Sequence, residues 1–405
     1  MTRRGRGIPL GALLLGGLLM LPVAAAPGDP VMSPFAPQAA TAPKPHPATG
    51  DGAFADVARR ATDAHQARKF EEAEALYREG LDRRPAWTEG RFGLGGALYE
   101  LDRFSEARVA FRRVLVDVPE SATGWTMAGL CSFRLKEYET ALGEIQKGRE
   151  IGLGDNSDLQ AIANYHIAIL LIRFGRFEVA YEALREFALR DRDSPGVVEA
   201  FGLAVLRLPY LPAEAPVEKR EMILMAGRAG YQLARGLRSP ATRRTFEVLV
   251  QRYPEEPNIR YAWGVFLLQD EPDAALTEFR RALSLDPGHV PAMCQMALQM
   301  IKEGRYQEAL PTAELAAQTG SQNFVARNVL GRTLLELGET DRAIQELEAA
   351  AKLAPDSPQM YFHLARAYQR AGRTNEANEA RVTFMKLDRA ARDRTPSGEP
   401  RSPGE

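Results

Sequence analysis

The sequence predicts an all-α solenoid of about eight to nine stacked helical hairpins, on three observations. First, one segment recurs, with acidic residues and an alanine, then a bulky residue, a small residue and a proline: EEAEALYREGLDRRP, SEARVAFRRVLVDVP, PDAALTEFRRALSLDP and TDRAIQELEAAAKLAP. Second, the prolines keep a period. Pro85 and Pro119 stand 34 residues apart, Pro254 and Pro287 33, and Pro287 and Pro355 68, twice 34. Third, Gly175, Gly304, Gly338 and Gly372 fall between paired helices, where a left-handed C-cap suits glycine.

The elements follow in chain order. Residues 1–25 read as an export signal. Arg3, Arg4 and Arg6 form the positive start, Ile8 to Leu21 the apolar stretch, and Val23-Ala24-Ala25 the small-x-small site. Cleavage one residue later would place Pro27 just past the cut. The expected location is therefore exported, periplasmic or secreted. The alternative is an uncleaved helix that anchors the chain in the inner membrane with its folded part facing the periplasm, since the apolar stretch approaches a spanning length. Residues 26–52 are a Pro/Ala-rich linker without periodicity, and 389–405 a tail of the same disordered composition.

Between them lie the repeats, expected as an N-terminal array over 53–188, a divergent unit over 189–255 and a C-terminal array over 256–388. Their in-phase residues carry a resemblance. The second unit has Leu94, Gly95, Ala107, Phe111 and Pro119, and a later one Gly264, Ala275, Phe279, Ala282 and Pro287. A third has Leu330, Gly331, Leu334, Ala343, Leu347, Ala350 and Pro355, and the last Tyr361, Leu364, Ala365, Tyr368 and Ala377. This pattern resembles the tetratricopeptide repeat, whose period is 34. The resemblance implies a right-handed α–α superhelix, here of an exported bacterial protein. Small side chains mark where the paired helices approach closest. Bulky ones fill the space between helices, and proline ends the second helix because it cannot continue one. A single hairpin cannot bury its apolar faces, so several must stack.

Residues 189–255 break the phase. A short apolar helix precedes Pro209, Pro212 and Pro216; a long helix from about 217 to 236 follows, and SPATRRTFEVLVQRYP reads as another second helix. This is one divergent unit with an extra helix and a Pro-rich loop. An insertion on the outside of the solenoid is favoured over a hinge or a partner-specific surface.

Composition narrows the function. The chain has 405 residues and a formal net charge of -1, so no basic excess exists to neutralise phosphates and nucleic acid is not an expected partner. Cys131 and Cys294 read as small buried hydrophobes, too far apart along a solenoid for a disulfide. The histidines His65, His166, His289 and His363 lie in separate repeats without ligand spacing, and His46 lies in the linker. No HExxH, GxxxxGK or GxSxG occurs. No catalytic residue, cofactor or metal is expected.

What the resemblance implies is protein binding, with the first helix of each hairpin lining a concave groove. Carried over residue by residue, the groove takes Phe92, Tyr99, Phe133, Tyr165, Ile169, Ile172, Tyr231 and Tyr261, then Asn328, Arg332, Glu336, Phe362, Arg366 and Arg370 toward the C-terminus. The first set is apolar and aromatic; the second is polar with three arginines, suited to clamping carboxylates. The expected ligand is a protein or peptide segment with an apolar half and an acidic half. Readings kept beside it are a membrane-tethered scaffold, and a glycan-binding or enzymatic module that uses the groove. Trp87, Trp125 and Trp263 hold packing positions, which weighs against sugar platforms.

Overall fold

The computed structural model describes residues 52–393. The expected export signal, the linker up to residue 51 and the tail from 394 lie outside the described residues. Nineteen α-helices and no strand occur among them. Four hairpins open the array: α1 (Gly52–Gln66) with α2 (Phe70–Arg83), α3 (Thr88–Glu100) with α4 (Phe104–Asp117), α5 (Ala122–Arg134) with α6 (Tyr138–Ile151), and α7 (Ser157–Arg173) with α8 (Phe177–Leu189). Three helices follow, α9 (Pro195–Val205), α10 (Arg220–Ala234) and α11 (Pro240–Arg252). Four hairpins complete it: α12 (Pro257–Leu267) with α13 (Pro272–Leu285), α14 (Val290–Lys302) with α15 (Tyr306–Thr319), α16 (Phe324–Glu336) with α17 (Thr340–Leu353), and α18 (Pro358–Arg370) with α19 (Thr374–Asp393). The last helix runs past residue 388, where the tail was expected to begin. Ala390, Ala391 and the flanking arginines favour helix, and the first proline comes only at 396.

Proline sets the helix ends as expected. α2, α4, α11, α13 and α17 each stop two residues before Pro85, Pro119, Pro254, Pro287 and Pro355, because the residue before a proline is pushed out of the helical region. Gly175, Gly304, Gly338 and Gly372 have φ of +70, +75, +86 and +73°, the left-handed caps predicted for them. Arg68, Asp102 and Lys136 take the same conformation at the same place in the first three hairpins, with φ of 57, 57 and 62°.

A further device recurs at the start of four hairpins. A side chain in the first turn of the new helix donates to a carbonyl six residues back. Trp125 Nε1 bonds Pro119 O at 2.9 Å, Gln160 Nε2 bonds Gly154 O at 2.5 Å, Arg327 Nε bonds Ser321 O at 2.8 Å, and Arg91 bonds Pro85 O. Ion pairs at near-repeat spacing add a ladder across the hairpins, such as Arg103–Glu74 at 2.5 Å, Arg112–Glu144 at 2.7 Å and Arg342–Glu314 at 2.9 Å. In the first two the glutamate is buried and the arginine about half exposed; in the third both partners are exposed, so solvent screens the pair. The buried side chains from α3 to α19 form one continuous core; those of the first hairpin form a smaller one beside it.

The stretch from 189 to 255 is packed inward. Leu206, Leu208, Leu211 and Ala215 of the Pro-rich loop are buried in the main core. Glu214 of a short 3-10 turn meets Arg173 at 3.3 Å, and Lys219 meets Glu256 at 3.2 Å. The loop packs against the preceding hairpin through Glu214 and Arg173, and its leucines are covered. α9 and α10 cross where Gly202 faces the Ile223 carbonyl and Gly227 faces the Val198 carbonyl, so neither position has room for a Cβ.

Candidate functional site

The aromatic set assigned to the groove is largely enclosed. Tyr99, Phe133, Ile169, Ile172, Tyr231 and Tyr261 are all buried. Tyr99 stands edge-on to Phe104 at 5.3 Å, Phe133 to His166 at 4.8 Å and Tyr231 to Phe201 at 5.7 Å. Tyr261 lies between Phe279 and His289, with the Arg207 guanidinium 5.7 Å from its ring. Phe92 and Tyr165 are half-buried, Phe92 against Phe111 at 5.2 Å and Tyr165 against His166 at 5.6 Å.

The C-terminal set is arranged differently. Arg366 and Arg370 of α18, with Phe362 one turn earlier, line a cavity of about 590 Å³. Leu335 of α16 and Ala365 supply the floor, and Gln369, Arg381, Phe384 and Met385 the side toward α19. Phe362 and Met385 are exposed, and Phe362 packs on Phe384 at 5.7 Å. The lining thus joins an apolar surface to three arginines and holds no acid.

Just outside the cavity, Glu336 receives Arg366 at 2.9 Å and Arg370 at 3.9 Å, while Arg370 also donates to the Leu335 carbonyl. Arg381 donates to Gln369 Oε1 at 2.8 Å and to Asn378 Oδ1 at 3.2 Å. Behind this row Arg332 is half-buried, and its pKa is pushed down by burial and by Arg366, against the pull of Glu336. Burial, then Arg332 and Arg366, drive the His363 imidazole down to about 3, so it stays neutral at physiological pH. The Asn328 Oδ1 and His363 Nδ1 atoms are buried there without a hydrogen-bond partner. The local field is positive, and a carboxylate entering the cavity would meet guanidiniums already held in place.

Five of the expected groove residues therefore gather at one place: Arg332, Arg366, Arg370 and Phe362, with Glu336 paired to two of the arginines. Arg381, Phe384 and Met385 were not expected, because the groove was assigned to first helices alone and α19 is a second helix. Burial pushes both thiols up to about 12, and Cys131 and Cys294 are free and buried. Trp263 is buried and stacked on Phe266 at 5.2 Å, and the Trp87 ring lies against Gly80 and Gly90. Among the described residues no cluster of His, Cys, Asp and Glu could hold a metal ion. No helix there is long and apolar enough to cross a membrane.

Comparison with known proteins bears on the family. One tetratricopeptide-repeat model matches residues 59–122 and 97–152, and a second matches 300–361 and 335–394. The cellulose synthase operon protein C of Xanthomonas axonopodis pv. citri (strain 306) is 35% identical over 144 residues, 33% of this chain and 10% of that protein. The chain therefore spans about a tenth of that relative's length. Among solved structures, MamA 41-end from Desulfovibrio magneticus RS-1 is 23% identical, covering 41% of this chain and 94% of that one with a TM-score of 0.37. The MamA RS-1 ArsTM double mutant is 22% identical, covering 42% and 96%, also with a TM-score of 0.37. With the in-phase Ala, Gly and Pro positions and the hairpins they build, the two matches at opposite ends identify residues 59–152 and 300–394 as tetratricopeptide repeats.

Proposed function

We propose that this chain is a non-catalytic protein-interaction scaffold of the bacterial cell envelope, and that it receives a protein or peptide segment at the C-terminal end of its concave face. One observation carries the reading: the cavity where Phe362, Ala365 and Leu335 meet Arg366, Arg370 and Arg381. Apolar side chains of a partner lose water against the floor, and its carboxylates meet the arginines. That combination fits a segment both apolar and acidic. The envelope location rests on residues 1–25 as an export signal. N-terminal sequencing of the exported protein separates a cleaved leader from a retained anchor.

The half-buried Phe92 and Tyr165 leave a smaller role for the N-terminal half, as edges along which a longer ligand runs. The test is cross-linking in the native host with Arg366→Ala and Tyr165→Ala chains. The reading predicts that Arg366→Ala removes a cross-linked protein while circular dichroism stays unchanged. Equal capture by Arg366→Ala and the parent chain would sink it.

A further inference from the structure

The cavity lining has a register. Phe384 and Met385 stand 34 residues after Ala350 and Ala351, and Gln369 stands 34 after Leu335. In the earlier hairpin those three positions are buried, at 0%, 8% and 1% exposure. α18 packs directly on α17 there, and on α16. In the last hairpin the equivalents are open: Met385 is 58% exposed and Phe384 half-buried, and Val382 beside them is 60% exposed. Alanines that admit a close helix are replaced by a phenylalanine and a methionine, which widen the seat and add apolar area. The surface is thus one that the repeat, one period earlier, covers with a helix.

We infer that an acidic amphipathic helix from a partner protein docks on α18 and α19 in the place of a following repeat's first helix. This rests on the scaffold reading above and names the occupant's chemistry. α18 itself sits on α17 and α16 in this way, and it carries a buried apolar stripe at helical spacing, Met360, Leu364, Ala367 and Tyr368, with the Tyr368 hydroxyl donating to Glu348 of α17 at 2.7 Å. The charge argument comes from Arg366, Arg370 and Arg381, which face that seat with no acid among the lining residues. A second copy that presented the same face would bring like charges together. Residues 394–405, RTPSGEPRSPGE, hold three prolines, no large apolar residue and as many basic as acidic groups, so the chain's own tail lacks both the stripe and the charge.

The probe is a fluorescein-labelled peptide of about 18 residues, with leucines in a helical stripe and glutamates elsewhere, titrated with the full chain and read by anisotropy and by gain of helical dichroism. Two controls share its length: one scrambles the stripe at the same composition, and one replaces glutamate by lysine. The inference expects binding of the striped acidic peptide at least about tenfold tighter than of either control. Met385→Asp, on an exposed side chain and so harmless to folding, should weaken it by about tenfold or more. Equal binding of the scrambled peptide, or no effect of Met385→Asp, overturns the helix seat. The Arg366→Ala cross-linking result decides the scaffold reading separately, because that residue lies on the concave face whichever conformation the ligand adopts. Concentration-dependent self-association of the full chain that Met385→Asp abolishes would also overturn the inference, by making a second copy the occupant.

Discussion

Replacing Gly227 by alanine tests the crossing on which the irregular middle of the array depends. An alanine Cβ there would stand 2.0 Å from the Val198 carbonyl oxygen and 3.1 Å from the Gly202 nitrogen, both backbone atoms of α9. An ordinary carbon–oxygen contact is about 3.3 Å or more, so the two helices must part by roughly 1.3 Å. Overpacking against movable side chains costs about 1–3 kcal/mol, and a helix backbone yields less than a side chain, so the upper end applies. Alanine returns about 1 kcal/mol of helix propensity over glycine, leaving a net loss of roughly 2 kcal/mol. The internal control is Gly143→Ala, in the exposed middle of α6 with nothing within 4 Å of its Cβ; the propensity gain should stand alone and stabilise by up to about 1 kcal/mol. Urea unfolding followed by far-UV dichroism reads both, with slopes compared to detect loss of cooperativity between hairpins. Hydrogen exchange should also quicken over 195–252 in Gly227→Ala alone. If Gly227→Ala were as stable as the parent chain, or shifted in the same direction as Gly143→Ala, the close crossing of α9 and α10 would be wrong.

Three further outcomes follow. Lys136 holds φ of 62° on an exposed turn, so Lys136→Gly should raise stability by about 0.5 kcal/mol, the left-handed penalty of roughly 1–2 kcal/mol less the entropy of the freer unfolded chain, measured as a higher urea midpoint. His363 titrates near 3 in the fold but near 6.5 when unfolded, so the unfolded chain takes up the extra proton. Stability is then complete above about pH 6.5 and falls as pH drops toward 3, by at most about 1.4 kcal/mol per pH unit; His363→Gln should flatten that part of a melting-temperature profile. Both thiols, raised to about 12 by burial, should resist iodoacetamide at pH 8 in the folded chain and react fully in urea.

What could be read in the sequence is what hard sterics dictate. A proline two residues past a second helix marks its stop, so Pro85, Pro119, Pro287 and Pro355 reported their helix ends directly, whereas Pro311 sits inside α15 without ending it. Gly304, Gly338 and Gly372 reported left-handed turns for the same reason, whereas Arg68, Asp102 and Lys136 make identical turns at a cost that neighbours absorb, and nothing in their side chains announces it. The burial of the groove aromatics depends on neighbours that other elements of the stack bring up. Tyr261 is covered by Arg207, a residue of the irregular stretch that no repeat alignment places beside it. That Arg332, Arg366 and Arg370 stand close together was legible because they fall on successive first helices. That Phe384 and Met385 stand beside them was missed although the signal existed, since they replace Ala350 and Ala351 one period on.

The proposed binding surface lies at the α16, α18 and α19 end of the chain. Hydrogen exchange of the full chain, with and without a saturating striped acidic peptide, tests it. Slowed exchange is expected only at residues 332–336, 362–370 and 381–388, with 92–172 unchanged. Protection centred on the N-terminal hairpins, or no protection in a chain that demonstrably binds the peptide, would contradict it.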